Sequence, residues 1–292
     1  MISKILRKLR TRRDDKFPGE ILFKDLSQSP PIRITDKGDR LVLYLGSTVS
    51  GYHGKNESIR PKYLDFLQIP LLAESKNNPL LLIGGGAYNL SRYIVNTYDL
   101  AVDVVEVDQQ IEDLAKEYFQ LQEKEKLRTH ISDGRAFLTN SSRKYSGVIV
   151  DAFQNNSVPY NLQTREFAEL VYDKTDENGF LAINTVSSEN GFGTSQHSKI
   201  YSTFNSVFPY TYCFSTLKGH VSPLVIIGSK KKLGLESIKL GEKVDITKNE
   251  IIESQNSPKP AQILKDGSLK EKISCIIGPI IFKLSLLKTK LN

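Results

Sequence analysis

Glycines and acidic residues follow successive apolar runs in this chain of 292 residues. Strand ends of this kind are where the ligands of open parallel sheets collect. In chain order the residues are Gly84, Gly85 and Gly86, then Glu106, then Asp133 with Gly134, and finally Asp151. Because carboxylates accept hydrogen bonds and glycines admit a ligand close to the backbone, this spacing predicts a small-molecule site along one sheet edge.

The glycine run lies between an apolar strand over residues 80–83 and a helix predicted over residues 88–97. A second strand, over residues 101–107, carries Glu106 about twenty residues past the glycines, as in a nucleoside-binding βαβ unit whose acid holds the ribose. A phosphate loop is disfavoured because no lysine follows the last glycine. The alternative is a plain tight turn beside a solvated acid.

The next two acids could serve the base and the reacting end of a nucleoside. Asp133, ahead of Gly134, can accept a hydrogen bond from the exocyclic amine of adenine, and Asp151 lies where a group attached to the 5′ side would react. Tyr160, Asn161 and Gln163 follow in a loop that could line an acceptor pocket or could be ordinary polar surface.

The elements that must position these residues alternate regularly. Strands are predicted near residues 129–132, 145–150, 179–185, 210–216 and 223–228, and helices over 109–119, 135–139, 163–174 and 196–208. The last two strands follow each other without a full helix, which predicts a hairpin that closes the sheet. The sequence thus predicts a doubly wound, Rossmann-like α/β domain.

Charge and composition limit the partners. Of the net charge of +7, residues 1–16 contribute +5 and residues 230–292 contribute +6, which leaves −4 for residues 17–229. Because the basic residues lie at the ends and not on the folded core, a nucleic-acid partner is not expected. Two cysteines without metal-ligand spacing predict a reducing cytoplasm and no metal.

Four segments follow from these patterns. Residues 1–20 form a basic amphipathic segment, 21–56 a small β-stranded module with the strand RLVLYL, 57–229 the Rossmann-like domain, and 230–292 a lysine-rich tail. The basic termini could contact a membrane surface peripherally. The apolar run at 273–288 is too short to span one, and we expect it to dock on the core.

The runs IGGGAYN, VVEVD, SDGRAFL, YSGVIVDAF and SVPYNLQTREF resemble the spermidine synthase, or polyamine aminopropyltransferase, family over about residues 40–228. The resemblance implies the seven-stranded fold of class I AdoMet-dependent methyltransferases. It implies that Gly84, Gly85 and Gly86 flank the methionine-derived group, Glu106 holds ribose, Asp133 holds adenine and Asp151 is the catalytic base. It also implies a homodimer formed through the β-stranded module.

The departures from that family bear on the reaction. Ala87 and Tyr88 replace the aspartate and glycine that end the GGGDG motif, and Ala152, Phe153 and Gln154 follow Asp151 where the family has a polyamine-gripping acid. Of the tyrosine-histidine-glutamate motif, Tyr52-His53-Gly54 is at best a remnant. Because a carboxylate at position 87 would repel intact AdoMet, its loss admits AdoMet beside decarboxylated AdoMet as co-substrate.

Two functions stay open at this point. One is a transferase that moves an aminopropyl or methyl group to a small acceptor such as an amine, with Tyr160 and Gln163 as acceptor contacts. The other is a noncatalytic nucleoside-binding or membrane-associated interaction protein that retains the fold.

Overall fold

The computed structural model describes residues 17–54, 61–73, 77–154, 157–187, 194–215, 222–238, 240, 243–256 and 258–267. The chain forms two compact units. The first combines Met1–Pro61 with Gly86–Asn89 and Gln110–Leu121, and the second combines Lys62–Gly85, Leu90–Gln109 and Gln122–Asn292.

The first unit holds a four-stranded antiparallel sheet whose strands pair in chain order, β1-β2-β3-β4. The strands are β1 (Glu20–Asp25), β2 (Ile32–Asp36), β3 (Arg40–Leu45) and β4 (Thr48–Gly54). Phe17, Val42 and Tyr44 form a small apolar cluster on it, with Tyr52 packed alongside. This sheet confirms the predicted β-stranded module, and β3 has the bounds expected for RLVLYL.

The second unit is built on an eight-stranded sheet in the order β12-β10-β11-β9-β8-β5-β6-β7. Its strands are β5 (Leu80–Ile83), β6 (Val102–Glu106), β7 (Leu127–Ile131), β8 (Gly147–Val150), β9 (Phe180–Ser187), β10 (Tyr210–Ser215), β11 (Ser222–Ser229) and the two-residue β12 (Gln255–Asn256). Strands β5 to β9 pair in parallel, and β10 and β11 are antiparallel. The predicted doubly wound fold and its closing hairpin are confirmed, and β12 adds an eighth, short edge strand.

Eight α-helices occur within the described residues. They are α1 (Tyr63–Leu67), α2 (Ile69–Ala73), α3 (Asn89–Tyr98), α4 (Gln109–Tyr118), α5 (Gly134–Asn140), α6 (Arg165–Lys174), α7 (Thr194–Asn205) and α8 (Lys248–Ser254). Helix α2 begins at Ile69 with Pro70 in its first turn, where a missing N–H costs no bond.

The central strands explain where a ligand site can form. Every residue of β5 and β8 is buried, as expected for a parallel sheet covered on both faces. Leu82 of β5 stands beside Val104 of β6 and Ile149 of β8, so the three strands end level with one another. The residues that follow their carboxyl ends therefore share one edge of the sheet.

The described part of the lysine-rich tail packs within the second unit. Thr247 and Glu250 form a reciprocal capping box at the start of α8, and β12 pairs with β10. Leu264 is fully buried in the main apolar cluster of this unit. Residues 1–16 of the predicted amphipathic segment 1–20 and the apolar run at 273–288 lie outside the described residues.

None of the helices in the described ranges combines the length and the hydropathy that a membrane-spanning helix requires. No group of three or more His, Cys, Asp or Glu side chains within these ranges is arranged to hold a metal ion.

Candidate active site

The glycine turn follows β5 directly and touches the end of β8. The Gly84 N–H donates to the Val105 carbonyl at 2.9 Å, and Gly84 has a φ of +100°. A Cβ at this position would lie 2.5 Å from the carbonyl oxygen of Asp151. Only glycine combines this backbone conformation with so close an approach, so the turn and Asp151 are held together. Gly86 has a φ of +52° and belongs to the first unit.

Glu106 is fixed at the end of β6 by three backbone amides. Gly85 donates to Oε2 at 2.8 Å, while Val107 and Asp108 donate to Oε1 at 2.8 and 3.1 Å. The side chain is half-buried. A carboxylate held in one orientation beside the glycine turn is suited to a ligand that presents paired hydroxyls, because each oxygen can accept more than one hydrogen bond.

Asp133 caps the helix that follows β7. Its Oδ1 accepts from the Ala136 N–H at 2.8 Å, and its Oδ2 accepts from the Asn161 amide at 3.4 Å. The carboxylate is exposed. Gly134 begins α5 against the side chain of Ile83, which a Cβ would overlap, so glycine allows the helix to start directly on the end of β5. This packing brings Asp133 to the edge that carries the glycine turn.

Asp151 has two neutral partners. Tyr63 donates its hydroxyl to Oδ2 at 3.0 Å, and Asn184 donates its amide to Oδ1 at 2.8 Å. Burial raises the pKa of Asp151, and the hydrogen bonds from Asn184 and Tyr63 offset part of that rise. A carboxylate with a raised pKa and fixed oxygens is a stronger base than an exposed one, and therefore suits proton acceptance.

Sequence reasoning missed both partners of Asp151. Tyr63 lies in α1, and with Asp65 it gives a tyrosine and an acid two residues apart, the spacing of the tyrosine-histidine-glutamate motif sought at Tyr52-His53-Gly54. Asn184 is 3% exposed in β9, where it follows the apolar run Phe180 to Ile183. An amide directly after a buried apolar run was the sequence signal for Asn184, and the spacing of the tyrosine and the acid was the signal for Tyr63.

Tyr160 and Gln163, the two predicted acceptor contacts, both form hydrogen bonds within the chain. Tyr160 donates its hydroxyl to the Lys265 carbonyl at 2.7 Å. Gln163 is fully buried, donates to the Val158 carbonyl at 2.5 Å and accepts from the Gln196 amide. The reason is the 3-10 helix Tyr160–Leu162, which turns the loop back onto α6. Through these hydrogen bonds both residues hold the loop in place.

The described residues combine a Rossmann-like fold of the methyltransferase type with a glycine turn and three acids at the carboxyl ends of its parallel strands. The spermine/spermidine synthase domain family matches residues 65–237. The chain therefore belongs to this family, as the resemblance predicted.

The relatives that match the chain include proteins named as aminopropyltransferases and one named as a methyltransferase. The chain is 30% identical over 152 residues to the polyamine aminopropyltransferase of Vibrio vulnificus (strain CMCP6), covering 49% of the chain and 48% of the relative. It is 26% identical over 212 residues to the eEF1A lysine and N-terminal methyltransferase of Xenopus laevis, covering 69% of the chain and 28% of the relative. The chain thus spans at most about half the length of these two relatives.

A solved structure supports the fold. The spermidine synthase from Thermotoga maritima superposes with a TM-score of 0.60 at 17% identity, over 83% of this chain and 81% of the other. At this identity the likeness concerns the fold alone.

Proposed function

We propose that the chain is a transferase that binds AdoMet or decarboxylated AdoMet and moves an alkyl group from it to an amine acceptor. The observation that carries the proposal is Asp151, a carboxylate with a raised pKa beside the glycine turn, held by Tyr63 and Asn184. A general base of this kind is needed when the acceptor loses a proton as it attacks.

In the proposed reaction the acceptor nitrogen attacks the carbon that is bonded to the sulfonium. An N–C bond forms, the C–S bond breaks with its electron pair passing to the sulfur, and Asp151 accepts the proton that the nitrogen loses. Tyr63 and Asn184 hold the carboxylate oxygens, so Asp151 needs no rearrangement in this step. Catalysis by the chain then consists mainly of positioning and proton acceptance.

The nucleoside contacts are proposed from the other side chains at this edge. Glu106 would accept from the ribose hydroxyls and Asp133 from the adenine amine, and the turn of Gly84, Gly85 and Gly86 would flank the methionine-derived group. The fit is supported by the glycine turn, which lacks side chains, and by the Glu106 carboxylate, which three amides hold in place.

Whether a methyl or an aminopropyl group is moved depends on the donor. The aminopropyltransferase relative favours aminopropyl, whereas Ala87 in place of the family's aspartate and the methyltransferase relative favour methyl. Calorimetric titration with AdoMet and with decarboxylated AdoMet separates the two. Tight binding of the decarboxylated form alone would rule out methyl transfer from AdoMet.

Asp133→Asn is a matched variant for this titration. Asparagine also caps helices, so the bond from Ala136 is kept while the negative charge is lost. We expect donor affinity to fall about tenfold, the worth of one charged hydrogen bond, with little change in melting temperature. An unchanged affinity would remove Asp133 from the proposed site.

The noncatalytic alternative has two observations in its favour. Ala152, Phe153 and Gln154 supply no acid for a polyamine, and the predicted acceptor contacts Tyr160 and Gln163 are bonded within the chain. Donor binding without turnover over a panel of diamines and polyamines would support this alternative. A cytoplasmic location, a homodimer and peripheral membrane contact through the basic termini stay predictions.

A further inference from the structure

In the second unit, Arg135 of α5 bonds to the loop that follows Asp151, to the residue that caps α6 and to a segment near the C-terminal end of the described chain. Its guanidinium donates to the Asn161 carbonyl at 3.1 Å and to the Thr164 hydroxyl at 3.3 Å. It also forms a bidentate pair with Asp266, at 2.8 and 2.6 Å. The planar fork of arginine suits such a junction because its five donors point in fixed directions.

Asp266 belongs to a segment, residues 258–267, that we call the C-terminal strap. The strap is anchored by Leu264, whose side chain is fully buried. The Leu264 N–H donates to the Thr203 hydroxyl at 2.9 Å, and its carbonyl accepts from the Arg165 N–H at 2.8 Å. The strap thus accepts a hydrogen bond from one of the N–H groups in the first turn of α6 that have no partner within the helix.

The strap also holds the loop that follows Asp151. Lys265 accepts from the Tyr160 hydroxyl at 2.7 Å, and the Asp266 N–H donates to Glu166 at 2.9 Å. Residues 157–164, which we call the acceptor loop, therefore contact the strap directly through Tyr160 and indirectly through Arg135.

The acceptor loop in turn contacts the proposed adenine acid. The Asn161 side-chain amide donates to Asp133 Oδ2 at 3.4 Å, while its carbonyl is held by Arg135. We propose that the C-terminal strap, through Asp266 and Arg135, positions Asn161 against Asp133 and thereby sets the affinity for the nucleoside. The part of this proposal that concerns the nucleoside rests on the proposed function.

The Arg135–Asp266 pair is partly exposed, with 22% and 43% of the two side chains accessible. Ion pairs at this exposure add little to global stability. Loss of the pair should therefore appear as local opening of the acceptor loop and not as unfolding of the chain.

The test is hydrogen exchange of the full-length Asp266→Asn variant, followed at two amides of the acceptor loop. Leu162 and Gln163 donate to the Pro159 and Tyr160 carbonyls, both at 3.0 Å, so their exchange reports opening of the loop. We expect exchange of these amides to accelerate about tenfold, because local openings lie well below the global unfolding free energy. Methylthioadenosine, used as the nucleoside probe in calorimetry, should bind about fivefold more weakly, the size of one lost hydrogen-bond contact.

The matched control is Glu169→Gln. It removes the ion pair between Arg165 and Glu169 of α6, at 2.8 Å, in which 40% and 47% of the two side chains are exposed. We expect neither the exchange rates nor the methylthioadenosine affinity to change. Arg135→Lys serves as a second variant, since lysine keeps the charge and loses the fork, and it should reproduce the effects of Asp266→Asn.

Unchanged exchange at Leu162 and Gln163 in both Asp266→Asn and Arg135→Lys would overturn the proposal. Faster exchange with unchanged methylthioadenosine affinity would overturn its nucleoside part. If the unmodified protein binds no methylthioadenosine, the proposed function and the nucleoside part fall together, while the exchange rates still decide whether the strap fixes the loop.

Discussion

Two aspartates at opposite ends of the same sheet differ in the charge of their partners. Asp103, near the amino end of β6, is 3% exposed and accepts from the Tyr145 hydroxyl and from Arg143, both at 3.1 Å. His130 Nε2 lies 3.6 Å away. Asp151, just past the carboxyl end of β8, also accepts from a tyrosine, but its second partner is the neutral amide of Asn184.

The difference separates a structural carboxylate from one suited to chemistry. A guanidinium compensates the desolvation of Asp103, so its charge is paired within the fold. Neutral donors orient the carboxylate of Asp151 without cancelling its charge, and burial raises its pKa. The two aspartates thus differ mainly in that Asp103 has a cationic partner and Asp151 has neutral ones, more than in how deeply each is buried.

The largest expected effect is that of Asp151→Asn. Removing a general base typically costs 10²- to 10⁴-fold in rate, so we expect alkyl transfer to fall about a thousandfold. Donor binding in calorimetry should be retained. An Asp151→Asn variant with near-normal turnover would show that this carboxylate is no base.

The stability of this variant should depend on pH in a defined direction. Because the pKa of Asp151 is raised in the folded protein, ionisation of this group costs stability as the pH rises through that value. Asp151→Asn should therefore be more stable than the unmodified chain above the raised pKa. The difference should vanish below the ordinary pKa of an aspartate, which thermal melts over a pH series can check.

Gly84→Ala should move Asp151 without changing its chemistry. A Cβ would lie 2.5 Å from the Asp151 carbonyl oxygen at a φ of +100°, so we expect a loss of about 3 kcal/mol in unfolding free energy, from strain and overpacking together. Gly38→Ala is the control, since Gly38 has a φ of +91° and the added Cβ would meet nothing within 4 Å beyond its two neighbours in the chain. It should cost only about 1 kcal/mol in urea unfolding. Equal losses would show that the contact with Asp151 contributes nothing.

Asp103→Asn should lower the stability of the protein, whereas Asp151→Asn should lower the rate of alkyl transfer. It removes the charge that pairs with Arg143, and we expect the unfolding free energy to fall by about 2 kcal/mol, the worth of a hydrogen bond to a charged group. The ratio kcat/KM at a temperature where the variant is folded should stay unchanged. A loss of activity at full stability would abolish the contrast between the two aspartates.

The smallest effect is expected from Tyr63→Phe. The hydroxyl of Tyr63 lowers the pKa of Asp151, so its removal should raise that pKa further and shift the acid limb of the pH–rate profile to higher pH. We expect a rate loss of about tenfold at neutral pH, close to one lost hydrogen bond. Tyr145→Phe removes the corresponding hydroxyl from Asp103 and should leave the pH profile in place. A shift in both variants would mean that the effect is not specific to the site.

Much of the candidate site follows from local pattern. The burial of β5 and β8 leaves a continuous apolar signature, and glycines and acids at strand ends are visible in the sequence without tertiary information. The loop residues could not be assigned in this way. Tyr160 and Gln163 are polar loop residues whether they bind an acceptor or lie on an ordinary surface. Only the tertiary structure shows that Tyr160 bonds to the strap and that Gln163 bonds to Val158 and Gln196.

The sequence by itself determined the alternation of β5 to β11 with α3 to α7, the glycine turn and the positions of Glu106, Asp133 and Asp151, because these depend on periodicity and on residues adjacent in the chain. Tertiary structure alone decided that Tyr63 and Asn184 hold Asp151, and that Asp266 meets Arg135. Those contacts join residues 33 to 131 positions apart, and no local propensity specifies which distant side chains a packed sheet brings together.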